Sequence, residues 1–247
     1  MGKVKGRLFS SIPNVRVVDV THSIPVADKL SAAYVVRNAC FDFPQGTIHI
    51  IDACGTRAVE NTVVVESRGQ YYIMVDNGLP ALIFGDDYTQ AVSVVDYPLP
   101  AAGVFLAHDL FCPVAALIAR DVPLSSIGQP CEHLRPSNPY GYLSEPDQLK
   151  VYITYIDTYG NAYLGITNDE FERHREGRSF KMFVRECVLD EVVAPNGAPG
   201  ATSSSRVDLQ LTVSSTGSLM LNTTQISENA SRLFGLRTMQ TVKVLFH

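Results

Sequence analysis

Residues 47–52 read TIHIID, an apolar run of strand length that ends on an acidic residue. A β-branched run, VRVVDV, stands at residues 15–20, and apolar residues at helical spacing occupy residues 27–40 between the two runs. Strand, helix and strand at this spacing are typical of a parallel βαβ unit, whose strands are buried on both faces and lack polar alternation. The first part of the chain is therefore predicted to be α/β.

The pattern continues beyond this unit. Residues 61–66 and 70–75 are β-rich runs on either side of Ser67-Arg68-Gly69, which predicts a hairpin with a short glycine-containing turn. Residues 110–120 have the pattern of a helix, with Pro113 in the first turn, where proline is tolerated.

The composition changes between residues 131 and 146, where proline and glycine interrupt a polar stretch that predicts a linker. Short strand-like runs joined by Gly, Pro and Ser follow, and they indicate a small β-barrel or sandwich. We predict two domains: an N-terminal, doubly wound, mostly parallel α/β domain over residues 1–142, and a smaller C-terminal β-barrel domain over residues 147–247.

The composition excludes several classes of partner. Of the 247 residues, 46% are apolar, which is enough for a packed core, and the net charge of −5 without a Lys/Arg block argues against nucleic acid or anionic membrane. The apolar runs are far shorter than the roughly 20 residues of a membrane span, and no apolar signal region is visible, so we expect a soluble cytoplasmic protein. The five cysteines are scattered without metal-ligand spacing, which predicts free thiols and neither disulfides nor a metal site.

Six segments, in order, resemble the S-adenosyl-L-methionine (SAM) hydroxide adenosyltransferases, which are SAM hydrolases, and the SAM-dependent fluorinase and chlorinase. The segments are VRVVDVTHSIPVADKLSAAYVV (15–36), FPQGTIHIIDACGT (43–56), YYIMVDNGL (71–79), VFLAHDLFCPVAALIARDVPLSSIG (104–128), YIDTYGNAYLGI (155–166), and SSTGSLMLN (214–222) with NASRLFGL (229–236).

The resemblance implies a reaction and an assembly. SAM is the substrate, no cofactor takes part, and a homotrimer holds SAM between the N-terminal domain of one subunit and the C-terminal domain of its neighbour. Displacement at C5′ of the sulfonium releases methionine as a neutral thioether, so the enzyme only orients and desolvates the nucleophile. In the hydrolases, water is the nucleophile, the products are adenosine and L-methionine, and an Asp, an Arg and a His orient the water.

The resemblance also implies the catalytic positions. Asp52 ends a strand where the family places its Asp, and Arg57, after a loop one residue shorter than the family's, is the candidate Arg. The hydrolases read T-F-H-G-R-D where residues 104–109 read VFLAHD, so Leu106 replaces the His and cannot exchange a proton. His108 is the third candidate, because it projects to the same side as Leu106 if the segment is extended.

Each candidate has a structural alternative: a cap or turn for Asp52, an exposed solvated side chain for Arg57, and a pairing of His108 with Asp109 at a helix start. The halogenases carry an aromatic residue at the position of Asp52 and a serine near Phe105. This chain has no serine between residues 104 and 109, which disfavours halide chemistry.

The substrate-binding positions implied by the resemblance lie mostly in the second half. Asp157 binds the methionine ammonium, the ring of Tyr159 stacks near the adenine, the amide of Asn161 binds the adenine edge, and Ser215 binds the methionine carboxylate. Thr216 replaces an adjoining Arg of the fluorinase. The alternative for residues 157–161, DTYGN, is a tight turn between strands.

Two further positions, Asp28 and Asn77, match the family in the first half. The family also opens on a strand whose Asp binds the ribose hydroxyls, followed by a segment that ends in Lys-Gly. Residues 2–6, GKVKG, match only that last piece, so the resemblance implies that the first strand is missing.

Three hypotheses follow: a SAM hydrolase, a SAM- or adenosine-binding homologue without turnover, and a trimeric scaffold without a nucleoside site.

Overall fold

The computed structural model describes residues 1–53, 61–95, 97–98, 104–137, 141–193, 207–225 and 227–247, which form two compact units, residues 1–138 and 139–247. The helices are α1 (Gly2–Ser11), α2 (Lys29–Val35), α3 (Leu79–Phe84), α4 (Cys112–Ile118), α5 (Leu124–Ile127), α6 (Asn168–Arg175) and α7 (Ala230–Leu233). The strands are β1 (Ile48–Ile51), β2 (Thr62–Ser67), β3 (Gln70–Val75), β4 (Gln90–Ser93), β5 (Gln129–Pro130), β6 (Tyr142–Glu145), β7 (Gln148–Ile156), β8 (Ala162–Thr167), β9 (Phe180–Val184), β10 (Cys187–Leu189), β11 (Leu209–Val213), β12 (Ser218–Thr223) and β13 (Thr241–Phe246).

The first unit contains a mixed five-stranded sheet in the order β1-β3-β2-β4-β5. β1 and β3 are parallel, and the other described pairings are antiparallel. The α/β class is confirmed, but the prediction of a mostly parallel sheet is wrong for the described strands. The reason is the β2–β3 hairpin, in which Arg68 and Gly69 both have positive φ and form the two-residue turn that matches strand twist.

Helices cover both faces of this sheet because its central strands bury alternate residues on opposite sides. Val64 and Ile73 belong to a core with the helical residues 106–118, whereas Val63, Tyr72 and Met74 belong to a second core with α2 and α3. The sheet is therefore the middle layer of three.

Residues 15–20 do not form the predicted strand, and this prediction is wrong. The segment belongs to neither sheet; Val15 and Val17 pack against the first core, while Val18 is 65% exposed. β-Branched residues favour extended backbone but do not supply a partner for the ladder. The preceding residues form α1, which packs against α4 and was not predicted.

The second unit is an antiparallel, barrel-like sheet in the order β10-β9-β13-β7-β8-β12-β11, and β6 also pairs with β7. An isolated bridge between Val193 and Thr212 joins the two ends of this order. Alternate residues of each strand point inward, as Leu149, Val151 and Ile153 do in β7. The prediction of a β-barrel-like second domain is confirmed at this level.

The polar helix α6 was not predicted, because a helix whose one buried residue is Phe171 has no apolar periodicity. A capping box begins it instead: Thr167 Oγ1 accepts from the Glu170 amide, and Glu170 accepts from the Thr167 amide.

Within the described ranges, no helix has the length and apolar character to cross a bilayer. The described cysteines are free thiols, and burial raises the pKa of both Cys40 and Cys112 to about 11.

His49 is buried against Tyr72 of the second core, where burial disfavours its charged form. Its Nε2 lies 2.6 Å from Gln70 Oε1, and its ring stacks on Tyr72 with a centroid distance of 4.6 Å. Gln70 Nε2 in turn donates to the Phe41 and Phe43 carbonyls. Burial lowers the pKa of His49, partly opposed by the Gln70 hydrogen bond.

Protein stability should therefore fall as the pH decreases below about 6.5, the usual histidine pKa. Between the His49 pKa of the unfolded chain and that of the folded chain, His49 is protonated in the unfolded chain but not in the folded chain. The unfolding free energy therefore decreases by at most about 1.4 kcal/mol per pH unit over this range. Urea unfolding at pH 7.5 and 5.5 measures this slope. His49→Gln should lose it, and the matched change at exposed His133, His133→Gln, should keep it. An equal slope in wild type and His49→Gln would contradict this origin.

Candidate functional site

Asp52 stands at the carboxyl edge of the parallel strand pair. The register pairs Ile51 of β1 with Met74 of β3, so Asp52 leaves the sheet at the same edge as Asp76 and Asn77. In α/β proteins, ligands bind outside the carboxyl ends of parallel strands. The sequence prediction that Asp52 ends a strand is confirmed.

The Asp52 carboxylate is unpaired within the part of the chain that the structure describes. The residue is exposed, and no described residue hydrogen-bonds to it. Neighbouring protein atoms nevertheless desolvate the carboxylate and raise its pKa. An unpaired carboxylate whose charged form is disfavoured is suited to accept a hydrogen bond or a proton from a substrate.

The Asp76-Asn77-Gly78 turn beside Asp52 is held by its own hydrogen bonds. Asp76 Oδ2 accepts from the Arg135 amide at 2.8 Å, and Asn77 Oδ1 accepts from the Leu79 amide at 3.1 Å. The Asn77 turn therefore forms the edge of the site, and Asn77 Oδ1 already accepts one hydrogen bond.

Asp28 is the N-cap of α2. Its Oδ1 accepts from the Ser31 amide at 3.0 Å, and its Oδ2 accepts from the Ser31 hydroxyl at 2.7 Å. The next residue, Lys29, donates to the Asn77 carbonyl at 3.2 Å, so the start of α2 lies beside the Asn77 turn. The structure thus brings the Asp28 and Asn77 segments together, but it gives the Asp28 carboxylate a capping role.

His108 lies in a π-helical turn, Ala107–Phe111, that leads into α4 and contacts β1. The segment is helical rather than extended, so His108 and Leu106 do not face the same way, and that assumption is wrong. Leu106 is 5% exposed and belongs to the first core, whereas His108 is partly exposed. His108 therefore leaves the helix in a different direction from Leu106.

Asp109 lies in the same turn. From the sequence it was named only as the partner of His108, in the structural alternative to catalysis by His108. Its carboxylate lies 2.6 Å from His108 Nδ1. The signal for this contact in the sequence is the adjacent His-Asp pair at a helix start. Arg57 lies outside the described residues, so its predicted role stays a prediction.

In the second unit, residues 157–161 form the tight turn between β7 and β8. Asp157 Oδ1 accepts from the amides of Tyr159 and Asn161, and Oδ2 accepts from Asn161 Nδ2 and the Tyr163 hydroxyl. Four donors match the lone-pair capacity of a carboxylate. Asp157 therefore has no acceptor left for an ammonium unless the turn rearranges.

The other two predicted binding residues of this turn, Tyr159 and Asn161, present groups without a described partner. The Tyr159 ring is 78% exposed, and Asn161 Oδ1 has no hydrogen-bond partner among the described residues. The start of α7 lies against the turn: the Ser231 amide donates to the Gly160 carbonyl, and Asn229 caps the helix. Two segments far apart in the sequence thus meet here, and Asn229 was missed as a member of the group.

Ser215 is not part of that group. It is exposed in the turn between β11 and β12, and the adjoining Gly217 carbonyl accepts from the Asn168 amide at the far end of β8. β8 has six residues and separates this turn from residues 157–161 by roughly 20 Å. The ammonium and carboxylate of methionine share one carbon, so one methionine cannot reach both Asp157 and Ser215 of the same barrel.

Of the residues that the structure describes, no three His, Cys, Asp or Glu side chains are grouped to hold a metal ion. A shallow cleft of about 380 Å³ in the second unit is lined by polar residues that include Ser144, His174 and Arg178, and it contains none of the predicted site residues.

Sequence comparisons match the chain to a family model and to known proteins. A family model described as the SAM hydroxide adenosyltransferase N-terminal domain matches residues 1–128. The chain is 28% identical over 225 residues to a fluorinase from Actinopolyspora mzabensis, covering 78% of this chain and 74% of the relative. It is 28% identical over 138 residues to an (R)-S-adenosyl-L-methionine hydrolase from Thermus thermophilus, covering 51% of this chain and 53% of that protein.

Solved structures share the fold. An uncharacterized conserved protein from Thermotoga maritima superposes with a TM-score of 0.81 at 18% identity, covering 99% of this chain and 94% of that one. A conserved hypothetical protein from Thermus thermophilus gives a TM-score of 0.68 at 22% identity, covering 100% of this chain and 93% of that one.

Gly160→Ala should destabilise the second unit more than Gly177→Ala. Both glycines have positive φ, 89° and 75°, so either alanine costs about 1–2 kcal/mol of backbone strain. A Cβ at residue 160 would also overlap the Asn229 carboxamide and disturb the cap of α7, for about 1 kcal/mol more, whereas nothing lies within 4 Å of one at residue 177. Urea unfolding of both variants checks the difference, and equal losses would contradict the contact.

Asp52→Asn should raise the melting temperature slightly at pH 7.5. The raised pKa means that folding penalises the ionised carboxylate, and this penalty is fully present above the folded pKa and disappears as the pH falls through it. The neutral amide avoids it. Calorimetry at pH 7.5 and 4.5 should show the gain shrinking at the lower pH. A melting temperature lowered at pH 7.5 would show that the Asp52 charge stabilises the fold.

Proposed function

The chain belongs to the SAM hydroxide adenosyltransferase family, and on that premise we propose that it binds SAM and hydrolyses it to adenosine and L-methionine. The observation that carries the proposal is the open, desolvated carboxylate of Asp52 at the carboxyl edge of β1 and β3. Family membership supplies the substrate class, and Asp52 supplies a group for water.

The reaction mainly requires the protein to orient the attacking water. The sulfonium leaves as a neutral thioether, so no group has to protonate methionine, and the rate depends on holding water in line with C5′. A carboxylate that accepts a hydrogen bond from this water fixes its direction and raises its nucleophilicity. Asp52 is free to do this because no described residue occupies its oxygens.

The remaining roles belong to the same proposal. His108 accepts a proton from the water, and Arg57 stays the candidate for a third orienting group. Tyr159 and Asn161 offer a ring and a free amide oxygen to the adenine. Asp28 and Asn77 shape the edge beside Asp52 through their own hydrogen bonds.

Asp157 and Ser215, the two residues predicted to bind the methionine head group, lie near opposite ends of β8. Ser215 has an exposed hydroxyl in its own turn, and it lies too far from Asp157 for both to hold one head group. A methionine that contacts Ser215 is therefore out of reach of Asp157 of the same barrel, and Asp157 accepts from an ammonium only when its turn rearranges. The homotrimer stays a prediction.

Binding without turnover is the second candidate, and Leu106 is the observation that favours it. The residue is packed in the core at the position where the hydrolases carry their catalytic His. If His108 and Asp52 together do not activate water, the protein holds SAM or adenosine unchanged.

Purified protein incubated with SAM in ¹⁸O-labelled water should release methionine and adenosine that carries ¹⁸O at the 5′ position, measured by mass spectrometry. Asp52→Asn should reduce the release by about 10²-fold or more, the usual contribution of a positioned base. Asp86→Asn, the same change at an exposed residue of the same unit, should leave it unchanged.

Four other outcomes would contradict the hydrolase. Unlabelled adenosine would show that water does not attack C5′. A 5′-halogenated product in fluoride or chloride would indicate halogenase chemistry. SAM binding by calorimetry without any release would favour the second candidate, and neither binding nor release would leave only a scaffold.

A further inference from the structure

The π-helical turn before α4 holds a histidine and an aspartate in contact. His108 Nδ1 lies 2.6 Å from Asp109 Oδ1, and Asp109 Oδ2 accepts from the Phe105 amide at 2.8 Å. The side chains are 21% and 16% exposed, so the pair is sheltered but reachable. Single π-helical turns inside helices occur frequently at functional sites.

Asp109 is ionised at neutral pH and can only accept hydrogen bonds. The backbone hydrogen bond from Phe105 lowers its pKa most, and the hydrogen bond from His108 lowers it further. The proton between the two side chains must therefore belong to His108 Nδ1. In the neutral imidazole, this leaves the lone pair on Nε2.

The ring orientation is restricted as well as the tautomer. The Phe105 ring lies parallel to the imidazole, with an interplanar angle of 8° and a centroid distance of 6.3 Å. No described residue hydrogen-bonds to His108 Nε2. The turn thus presents an oriented imidazole with one free acceptor nitrogen, on a helix that contacts the strand ending at Asp52.

We propose that Asp109 is the positioning residue of the water-activating site, holding His108 with its proton on Nδ1 so that Nε2 accepts the proton of the attacking water. This inference rests on the proposed hydrolase function. The water oxygen forms a bond to C5′, and the C5′–S bond breaks with its electron pair going to sulfur. The proton passes from the water to Nε2, so that adenosine, neutral methionine and a protonated His108 result.

The two oxygens of Asp109 have separate tasks. Oδ2 closes the first helical turn through the Phe105 amide, which is a structural task, whereas Oδ1 fixes the imidazole. Asp109→Asn keeps a side-chain oxygen that can accept from Phe105, and it presents an amide to His108. Because an amide both donates and accepts, the tautomer is no longer determined.

The tautomer can be read without any turnover. Nitrogen-15 NMR of the imidazoles in the full chain, with His108 assigned from a His108→Gln spectrum, should show Nδ1 protonated and Nε2 unprotonated in the neutral wild type. Asp109→Asn should give a mixture or the opposite tautomer. Asp121→Asn, the same charge change at an exposed residue after α4, should leave the spectrum unchanged. A proton on Nε2 in the wild type would overturn the assignment, and this measurement needs no variant to fold.

The kinetic test separates positioning from stability. Asp109→Asn that is folded by near-ultraviolet circular dichroism should lower kcat for SAM hydrolysis by about 10²-fold or more, with KM within about twofold, because the water loses its acceptor but SAM does not lose a contact. Unchanged kcat together with an altered tautomer would overturn the positioning role and leave the hydrolase intact. Wild type without turnover would instead overturn the hydrolase and the proton transfer, while the tautomer would still be decided by NMR.

Discussion

The sheet of the first unit buries both of its faces, and this constraint determines where its polar groups stand. Along β2 and β3, successive side chains enter two different cores, so an inward polar group loses contact with water and destabilises the fold unless it finds a partner inside the protein. His49 and Gln70 satisfy this by bonding to each other and to nearby carbonyls. A group that keeps free lone pairs can stand only where a strand leaves the sheet, as Asp52 does.

The predicted carboxylates differ in how much acceptor capacity they retain, and this distinguishes structural residues from ligand candidates. The oxygens of Asp28 accept hydrogen bonds at the start of α2, and those of Asp157 accept hydrogen bonds within a turn. Asp52 has no described donor at all. Three acidic residues at family-matched positions therefore have different chemistry available, and only the hydrogen-bond partners show it.

The sequence was informative where local pattern and tertiary context agree. The β2–β3 hairpin, β1 and most strands of the second unit have strand composition, turn residues and partners in the chain, and they were predicted. β6 was not predicted, because it lies in the proline- and glycine-containing stretch that was predicted to be a linker. Residues 15–20 have the composition without a ladder partner, and propensity cannot reveal that. α6 is built by a capping box and not by an apolar stripe. The position of His108 depended on whether its segment is extended or helical, which six residues do not determine.

Leu106 carries a consequence for how this chain could change over evolutionary time. A histidine at that position would place an imidazole among apolar side chains at a site that is 5% exposed, where an unpartnered polar ring destabilises the fold. Leu106→His is therefore opposed by the core, and it would need a compensating change nearby first. Selection for turnover would act more readily on His108 and its neighbours than on residue 106, so the packing of one leucine directs which residues are open to further adaptation.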